Sequence, residues 1–135
     1  MSRRDQIRMS DAEVLAFLEE ERTVVCATNG RRGWPHLMPL WYVLRPTGDA
    51  GAPQVWAWTF AKSQNAKNLE RDPRATLQVE AGETYDQLRG VMLECDVPAN
   101  LTLAEWRRTR LETPRRRRLR LRTFIPVRQR EAFAI

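Results

Sequence analysis

Two lysines, a serine and an asparagine lie close together in the segment from Lys62 to Asn68, where the pattern changes from strand to helix. The first backbone N–H groups of a helix lack intrahelical partners, and the helix dipole favours negative charge there. Ser63 adds a hydroxyl group, and Lys62 and Lys67 add positive charge. We call residues 59–68 the corner. Its composition fits a phosphate site, and it equally fits a capped helix on the protein surface.

Side-chain catalysis has little support elsewhere in the sequence. The chain has one histidine, His36, no Cys-x-x-Cys pair, no glycine-rich dinucleotide fingerprint and no P-loop. His36 could bind a ligand or donate a proton, or it could be a half-buried imidazole with a backbone partner. We expect no catalytic side chain and no metal site, so an enzymatic function would depend on a bound cofactor.

The length and composition indicate one domain over residues 1–135. A domain of this size buries roughly two thirds of its unfolded surface, so it needs no disulfide or metal. Cys26 and Cys95 lie in strand-like segments, which predicts small buried hydrophobic residues. The sequence shows no apolar run of membrane-spanning length and no signal peptide. We therefore expect a cytoplasmic protein without a membrane partner.

The net charge of +6 is unevenly distributed. Residues 1–94 contain 12 basic and 13 acidic residues, whereas residues 95–135 contain 11 basic and 4 acidic ones. An arginine-rich segment can bind nucleic acid, but no recognised motif or interleaved aromatic residues accompany this one. A solvated basic segment is therefore the favoured interpretation. A changed reading frame near the end of the gene also explains the abrupt shift.

The element pattern predicts a mainly β fold with short flanking helices. Ser10 and Glu13 form a capping box that starts the first helix. Pro35 and Pro39 interrupt the second strand, which should therefore be an edge or carry a bulge. Short strands and few helices favour a closed or split barrel. The expected strands cover residues 23–29, 31–44, 54–60, 74–80, 87–95 and 114–127, and the expected helices cover residues 10–22, 63–72 and 103–112.

Three segments carry a resemblance to a known family. They are "RTVVCATNGRRGWPHLMPLWYVL", "WTFAKSQNAKNLERDPRATLQVE" and "YDQLRGVMLE", in this order. Together they resemble the pyridoxamine 5′-phosphate oxidase-like superfamily, and within it the actinobacterial branch that uses the deazaflavin coenzyme F420. The resemblance covers residues 5 to 94, and residues 95–135 are an atypical C-terminal segment. It implies a six-stranded, FMN-binding-like split β-barrel.

The resemblance also implies a function and an assembly. It implies a homodimer with two cofactors at the interface, F420 or alternatively FMN, and hydride transfer between the reduced cofactor and a small organic acceptor. The strand near His36 would run beside the ring, and the corner would hold the phosphate. The cofactor-binding residues expected from the resemblance and the corner are His36, Met38, Pro39, Trp41, Trp58, Thr59, Lys62, Ser63, Gln64, Asn65, Lys67, Asn68 and Arg89.

The sequence departs from the family pattern at two positions of the corner. Family members commonly have a basic residue where this chain has Asn65, and FMN oxidases have another where it has Gln64. Lys62 and Lys67 are the candidates to replace those charges. Two other function classes stay open, a non-catalytic flavin- or F420-binding protein and, less favoured, a nucleic-acid-binding protein.

Overall fold

The computed structural model describes residues 7–45, 53–60, 62–97 and 123–134, the last range for its backbone. Two helices and six strands lie in these ranges. In chain order they are α1 (Asp11–Glu20), β1 (Thr23–Asn29), β2 (Pro35–Arg45), β3 (Gln54–Thr59), α2 (Gln64–Arg71), β4 (Arg74–Ala81), β5 (Arg89–Asp96) and β6 (Thr123–Ala134). Within the described ranges, neither helix is long and apolar enough to cross a membrane.

The six strands form a closed barrel in the order β1-β2-β3-β6-β5-β4. All neighbouring strands are antiparallel, and β4 pairs with β1 at Cys26 and Leu77, which closes the barrel. This architecture confirms the predicted mainly β fold with six strands and short helices. Because successive side chains alternate between the faces of a strand, every second residue of β1, β4 and β5 lies in the core.

Helix α1 packs against the barrel through an apolar stripe. The predicted capping box is present, since Ser10 accepts a hydrogen bond from the Glu13 backbone and the Glu13 carboxylate accepts one from the Ser10 backbone. Phe17 and Leu18 are buried in the core. The hydroxyl of Tyr42 on β2 donates to the Leu18 carbonyl at 2.6 Å, and burial raises the pKa of this tyrosine to about 12.

Among the residues that the structure describes, strand β2 has an edge without a strand partner along its first half. Residues 35–41 pair with β1, whereas the pairing with β3 begins only at Tyr42 and Ala57. The Tyr42 N–H bonds the Arg22 carbonyl, so even-numbered residues direct their backbone groups towards β1. Pro35 and Pro39 are odd-numbered, and their missing N–H groups fall on the unpaired edge. The prediction of an edge is therefore correct for this half of the strand.

The C-terminal predictions are tested only in part. The expected helix over residues 103–112 lies outside the described residues, as do residues 114–122 of the expected last strand. The observed β6 begins at Thr123 and continues to Ala134, so it overlaps the predicted strand only over residues 123–127. Pairing with β3 on one side and β5 on the other determines the extent of β6.

Both cysteines are unpaired and buried, as predicted. Burial raises the pKa of the Cys26 thiol to about 11 and that of the Cys95 thiol to about 12. A thiol whose pKa is raised in this way is almost fully protonated at neutral pH, which disfavours a nucleophilic role.

Candidate functional site

The corner forms where β3 leaves β2 and the chain turns into α2. Thr59 still pairs with Thr123 of β6, and the next residues make a turn in which the Ser63 N–H donates to the Phe60 carbonyl at 2.9 Å. The Ser63 side chain then caps the helix by accepting from the Ala66 N–H at 3.2 Å. The corner therefore faces the unpaired half of β2, because both begin where β2 and β3 separate.

The start of α2 is suited to an anion. The backbone N–H groups of Gln64 and Asn65 have no partner among the described residues. The first turn contains no acidic residue, so nothing in it offsets the positive end of the helix dipole. Lys62 and Lys67 are both exposed at this end. Each of these features favours a bound phosphate or carboxylate.

Two hydroxyl groups add a hydrogen-bond donor to the corner. Thr59 Oγ1 and Ser63 Oγ lie 2.9 Å apart, and one hydroxyl hydrogen suffices for that bond. Thr59 is buried and Ser63 is half-buried. If Thr59 donates to Ser63, the hydrogen of the more accessible Ser63 is free to donate to an anion.

The side chains of the two asparagines of α2 turn inward and are buried. Asn65 is only 1% exposed, and its Oδ1 lies 2.8 Å from Nδ1 of His36 on β2. The same Oδ1 accepts from Thr28 Oγ1 on β1 at 3.5 Å. His36 and Thr28 are directly paired across β1 and β2, so Asn65 docks α2 onto both strands.

Asn68 extends this cluster and is fully buried. Its Nδ2 donates to Thr28 Oγ1 at 3.0 Å. Its Oδ1 accepts from Gln64 Nε2 at 2.8 Å and from Arg71 Nη2 at 3.2 Å. Because the cluster is buried and directional, it fixes the position of α2 relative to the edge of β2.

One atom of the cluster has no partner. Among the described residues, Asn65 Nδ2 is the buried side-chain nitrogen or oxygen without a hydrogen bond. An unpaired buried donor costs roughly 1–3 kcal/mol, and natural proteins seldom tolerate one without a reason. The position at which family members commonly carry a charge thus holds a neutral amide that points into the protein.

The unpaired half of β2 supplies apolar contacts and free backbone groups. Met38 shares the inward-facing side of the strand with His36, whereas Pro39 and Trp41 lie on the outer side. Trp41 is 57% exposed and Met38 is 40% exposed. Phe60, at the start of the turn, is exposed as well. A planar ring placed along this edge would meet apolar side chains and unpaired carbonyl groups together.

Arg89 does not join the other predicted residues within one chain. It lies at the start of β5, opposite Ala81, whereas the His36 end of the barrel adjoins Ala75 of the same strand β4. Six residues of strand separate these positions by about 20 Å. Arg89 instead pairs with Glu20 at 3.3 Å and stacks over Phe17 at 4.8 Å. The side chain of Trp58 lies outside the described residues.

A surface cavity of about 370 Å³ lies where β1 and β5 end and β4 begins. It is lined by Asn29, Arg74, Thr76, Glu94 and Asp96 among others. Charges of both signs line it, and it shares only Thr28 with the polar cluster. No group of side chains suited to a metal ion occurs in the described ranges. We therefore place the candidate site at the corner.

Sequence reasoning missed two residues of the site. Thr28 looks like an ordinary β-branched strand residue, and only its buried pairing with His36 shows its role. Phe60 was assigned to the third strand, whereas β3 ends at Thr59 and Phe60 begins the turn. The sequence signal for Phe60 was the mixture of apolar and hydroxyl residues at the end of β3.

Comparison with known proteins identifies the family. The family model for pyridoxamine 5′-phosphate oxidase matches residues 10–119. The chain belongs to the pyridoxamine 5′-phosphate oxidase family. Its barrel is the flavin-binding split barrel of that family, as the resemblance of the sequence segments implied. The match extends beyond residue 94, where the predicted resemblance ended. No significant relative was found among curated protein sequences.

Solved structures support the same fold. A conserved hypothetical protein from Mycobacterium tuberculosis is similar over 99% of this chain and 89% of its own, with 29% identity and a TM-score of 0.69. The similarity to the FAD binding protein of Mycobacterium smegmatis covers 95% of this chain and 96% of that protein, with 11% identity and a TM-score of 0.69. The haem storage protein HutZ of Vibrio cholerae covers 91% and 92%, with 15% identity and a TM-score of 0.64. At identities this low, the last two establish the fold alone.

Proposed function

We propose that the protein binds a phosphate-bearing flavin-type cofactor at the corner, F420 with FMN as the alternative, and acts as an oxidoreductase on a small organic acceptor. The observation that carries the proposal is the juxtaposition of a helix start free of acidic residues with the unpaired, apolar half of β2. The first suits a phosphate and the second suits a planar ring. Membership of the family supports the same assignment.

The residues of the corner fit the acidic end of such a cofactor. The N–H groups of Gln64 and Asn65, the Ser63 hydroxyl and the two lysines would hold a phosphate. Residues 59–68 contain no arginine that could form a bidentate clamp. The side chains of Asn65 and Gln64 bond within the protein. The grip therefore depends on exposed lysines and backbone groups. We propose F420 first because the neutral residues at 64 and 65 depart from the FMN oxidase pattern.

The chain itself would contribute orientation and exclusion of water. The reduced cofactor supplies the hydride when bound. Carbonyl groups on the free edge of β2 would fix the height of the ring, and Met38, Trp41 and Phe60 would cover its faces. Holding the cofactor and the acceptor in line lowers the entropic part of the activation barrier. This contribution needs no acid–base chemistry from the protein.

We also propose a homodimer. Leu37, Trp41 and Trp34 are all more than half exposed on or beside β2, which is unusual for large apolar side chains. A second copy packed over this face would cover them. It could also bring its own Arg89 to the cofactor, which a single chain does not do. Light scattering or sedimentation would test the assembly.

The experiment for the function is the spectrum and turnover of the purified protein. We expect a yellow protein, or one that takes up F420 or FMN when either is added. Reduced F420 or FMN should then be oxidised faster with the protein present when a quinone, biliverdin or nitroaromatic compound is supplied. A folded protein that binds neither cofactor would refute the proposal.

A second candidate is a non-catalytic binding protein. It is favoured by the polar cluster, which commits His36 Nδ1 and both buried amides to structural bonds. Cofactor binding without turnover on any of the three acceptor classes would support this candidate over the enzyme.

A further inference from the structure

His36 is the single histidine of the chain. Among the described residues, its ring is hydrogen-bonded through one of its two nitrogens. Nδ1 lies 2.8 Å from Asn65 Oδ1. An amide oxygen only accepts hydrogen bonds, so Nδ1 must carry the proton in this arrangement. The neutral ring then has a bare lone pair on Nε2.

The observed orientation of the Asn65 amide completes a chain of directed hydrogen bonds that starts at Arg71. A guanidinium group can only donate, so the Arg71 contact at 3.2 Å identifies the Oδ1 side of Asn68. Asn68 Nδ2 must then donate to Thr28 Oγ1, at 3.0 Å. The threonine hydrogen is then directed at Asn65 Oδ1, at 3.5 Å.

Asn65 Nδ2 is left without a partner in this arrangement. Rotating the amide by half a turn would give Nδ2 acceptors at His36 Nδ1 and Thr28 Oγ1, but it would leave the Thr28 hydroxyl hydrogen without an acceptor among the described residues. The observed orientation thus bonds the threonine hydroxyl hydrogen and leaves the Asn65 amide N–H groups unpaired.

The bare Nε2 is accessible. His36 is half-buried, and Nε2 has no hydrogen bond to any described residue. Among the described residues, Asn65 Nδ2 is the one buried side-chain nitrogen or oxygen that lacks a partner, so the partnerless Nε2 of His36 is in contact with solvent. It lies at the end of β2 that faces the corner.

We propose that His36 contacts the bound cofactor through Nε2, which accepts a hydrogen bond from an N–H or O–H group. Asn65, Thr28, Asn68 and Arg71 are positioning residues that keep the proton on Nδ1. The inference rests on the proposed function, since flavin and deazaflavin cofactors both offer ring N–H and side-chain O–H donors. The inference adds His36 as a residue that favours a cofactor with a hydrogen-bond donor facing Nε2.

The tautomer can be tested without any cofactor. With ¹⁵N-labelled histidine the single ring gives one pair of nitrogen signals, whose chemical shifts distinguish a protonated nitrogen from a bare one. At a pH where the ring is neutral, we expect Nδ1–H and bare Nε2. A predominant Nε2–H form would overturn the directed chain.

Two variants at position 65 sharpen this test. Asn65→Asp keeps an oxygen acceptor and should keep the proton on Nδ1. Asn65→Leu removes the acceptor at similar volume and should release the ring to the Nε2–H form. Equal tautomer populations in the two folded variants would contradict the role of Asn65. If the leucine variant does not fold, the wild-type spectrum and the aspartate variant still decide the point.

The contact itself is tested with F420 and FMN. Binding should move the Nε2 signal towards a hydrogen-bonded position while Nδ1 stays protonated. His36→Asn keeps a donor for Asn65 and loses the Nε2 acceptor, so affinity should fall by about threefold to tenfold at unchanged stability. Unchanged affinity and an unmoved Nε2 signal would overturn the contact and leave the proposed function intact. Failure of wild-type protein to bind either cofactor would overturn both.

Discussion

The two helices begin in the same way but satisfy their first turns differently. Ser10 and Ser63 each accept a hydrogen bond from the backbone N–H three residues later, at 3.3 and 3.2 Å. Helix α1 adds Asp11 and Glu13, and the Glu13 carboxylate accepts from the Ser10 N–H at 2.7 Å. Helix α2 has no acid in its first turn. The first helix thus supplies its own anion, whereas the second leaves that place to an external one.

The helices also differ in how they are anchored. Helix α1 is held by Phe17 and Leu18, whose burial requires area but little direction. Helix α2 is held by Asn65 and Asn68, whose hydrogen bonds fix both distance and orientation. The comparison suggests that α1 serves stability, while the placement of α2 against β2 serves the site.

The largest expected effect is on stability through α1. Leu18→Ala should lower the free energy of unfolding by about 2–5 kcal/mol, because it leaves a cavity in the core. Urea denaturation would measure the loss. The folded variant should bind cofactor as the wild type does, since Leu18 lies outside the corner. A selective loss of cofactor affinity would break the contrast between the helices.

Removing an anchor of α2 should affect stability and binding together. Asn68→Ala removes one hydrogen bond each from Thr28, Gln64 and Arg71, and should cost about 1–3 kcal/mol of unfolding free energy. It should also weaken cofactor binding, because the start of α2 loses its fixed position. Urea denaturation and a cofactor titration on one preparation would show both effects. A loss of stability with unchanged affinity would mean that the cluster is merely structural.

Reversing the charges at the corner should affect binding alone. We expect the double variant Lys62→Glu with Lys67→Glu to bind a phosphate-bearing cofactor about tenfold more weakly, since each exposed charge contributes under about 1 kcal/mol. The matched control is Arg8→Glu with Arg31→Glu, two exposed residues outside the corner. The difference should shrink with added salt. Equal affinities of the two double variants would refute a cationic corner.

The smallest expected effect is an acid-dependent loss of stability that involves two carboxyl groups. Glu13 lies in the first turn of α1, and Asp72 is the C-cap of α2. Hydrogen bonds from Arg74, and then from Asn29, hold the pKa of Asp72 well below its usual 3.8. The backbone and side chain of Ser10 lower the pKa of Glu13. A carboxyl group whose pKa is lowered on folding stabilises the fold above its unfolded pKa, and that contribution is lost as the pH falls.

The measurement is the urea midpoint at a series of pH values below about 5. Asp72→Asn should give a shallower acid slope than the wild type. Its urea midpoint should be lower at neutral pH, where the wild-type carboxylate stabilises the fold, and similar at low pH, where that carboxyl group is protonated. An identical slope in the variant and the wild type would contradict the assignment to Asp72.

Local sequence signals were sufficient for most of the elements. Ser10 and Glu13 mark the start of α1, and Ser63 and Pro73 bound α2. Alternation of apolar residues located the first five strands within a few residues. Pro35 and Pro39 predicted an edge correctly, since both fall where the strand needs no N–H donor.

Features that depend on long-range packing could not be predicted. Asn65 and Asn68 resemble surface residues of a polar helix, and only the docking of α2 onto β1 and β2 turns them inward. The resemblance to the family implies a place for Arg89 at the edge of the cofactor, yet the register of β4 with β5 places Arg89 at the end of the barrel opposite His36. Partners on both sides determine where β6 begins, and its own sequence does not show it.

The most direct test of the account is a calorimetric titration of the folded wild-type protein with F420 and FMN, alongside the Lys62→Glu/Lys67→Glu variant. We predict saturable binding at one site per chain, micromolar or tighter for F420 and weaker for FMN, and reduced in the charge-reversed variant. The absence of heat with both cofactors, from a protein that circular dichroism shows to be folded, would contradict the claim that α2 and the open edge of β2 form a cofactor site.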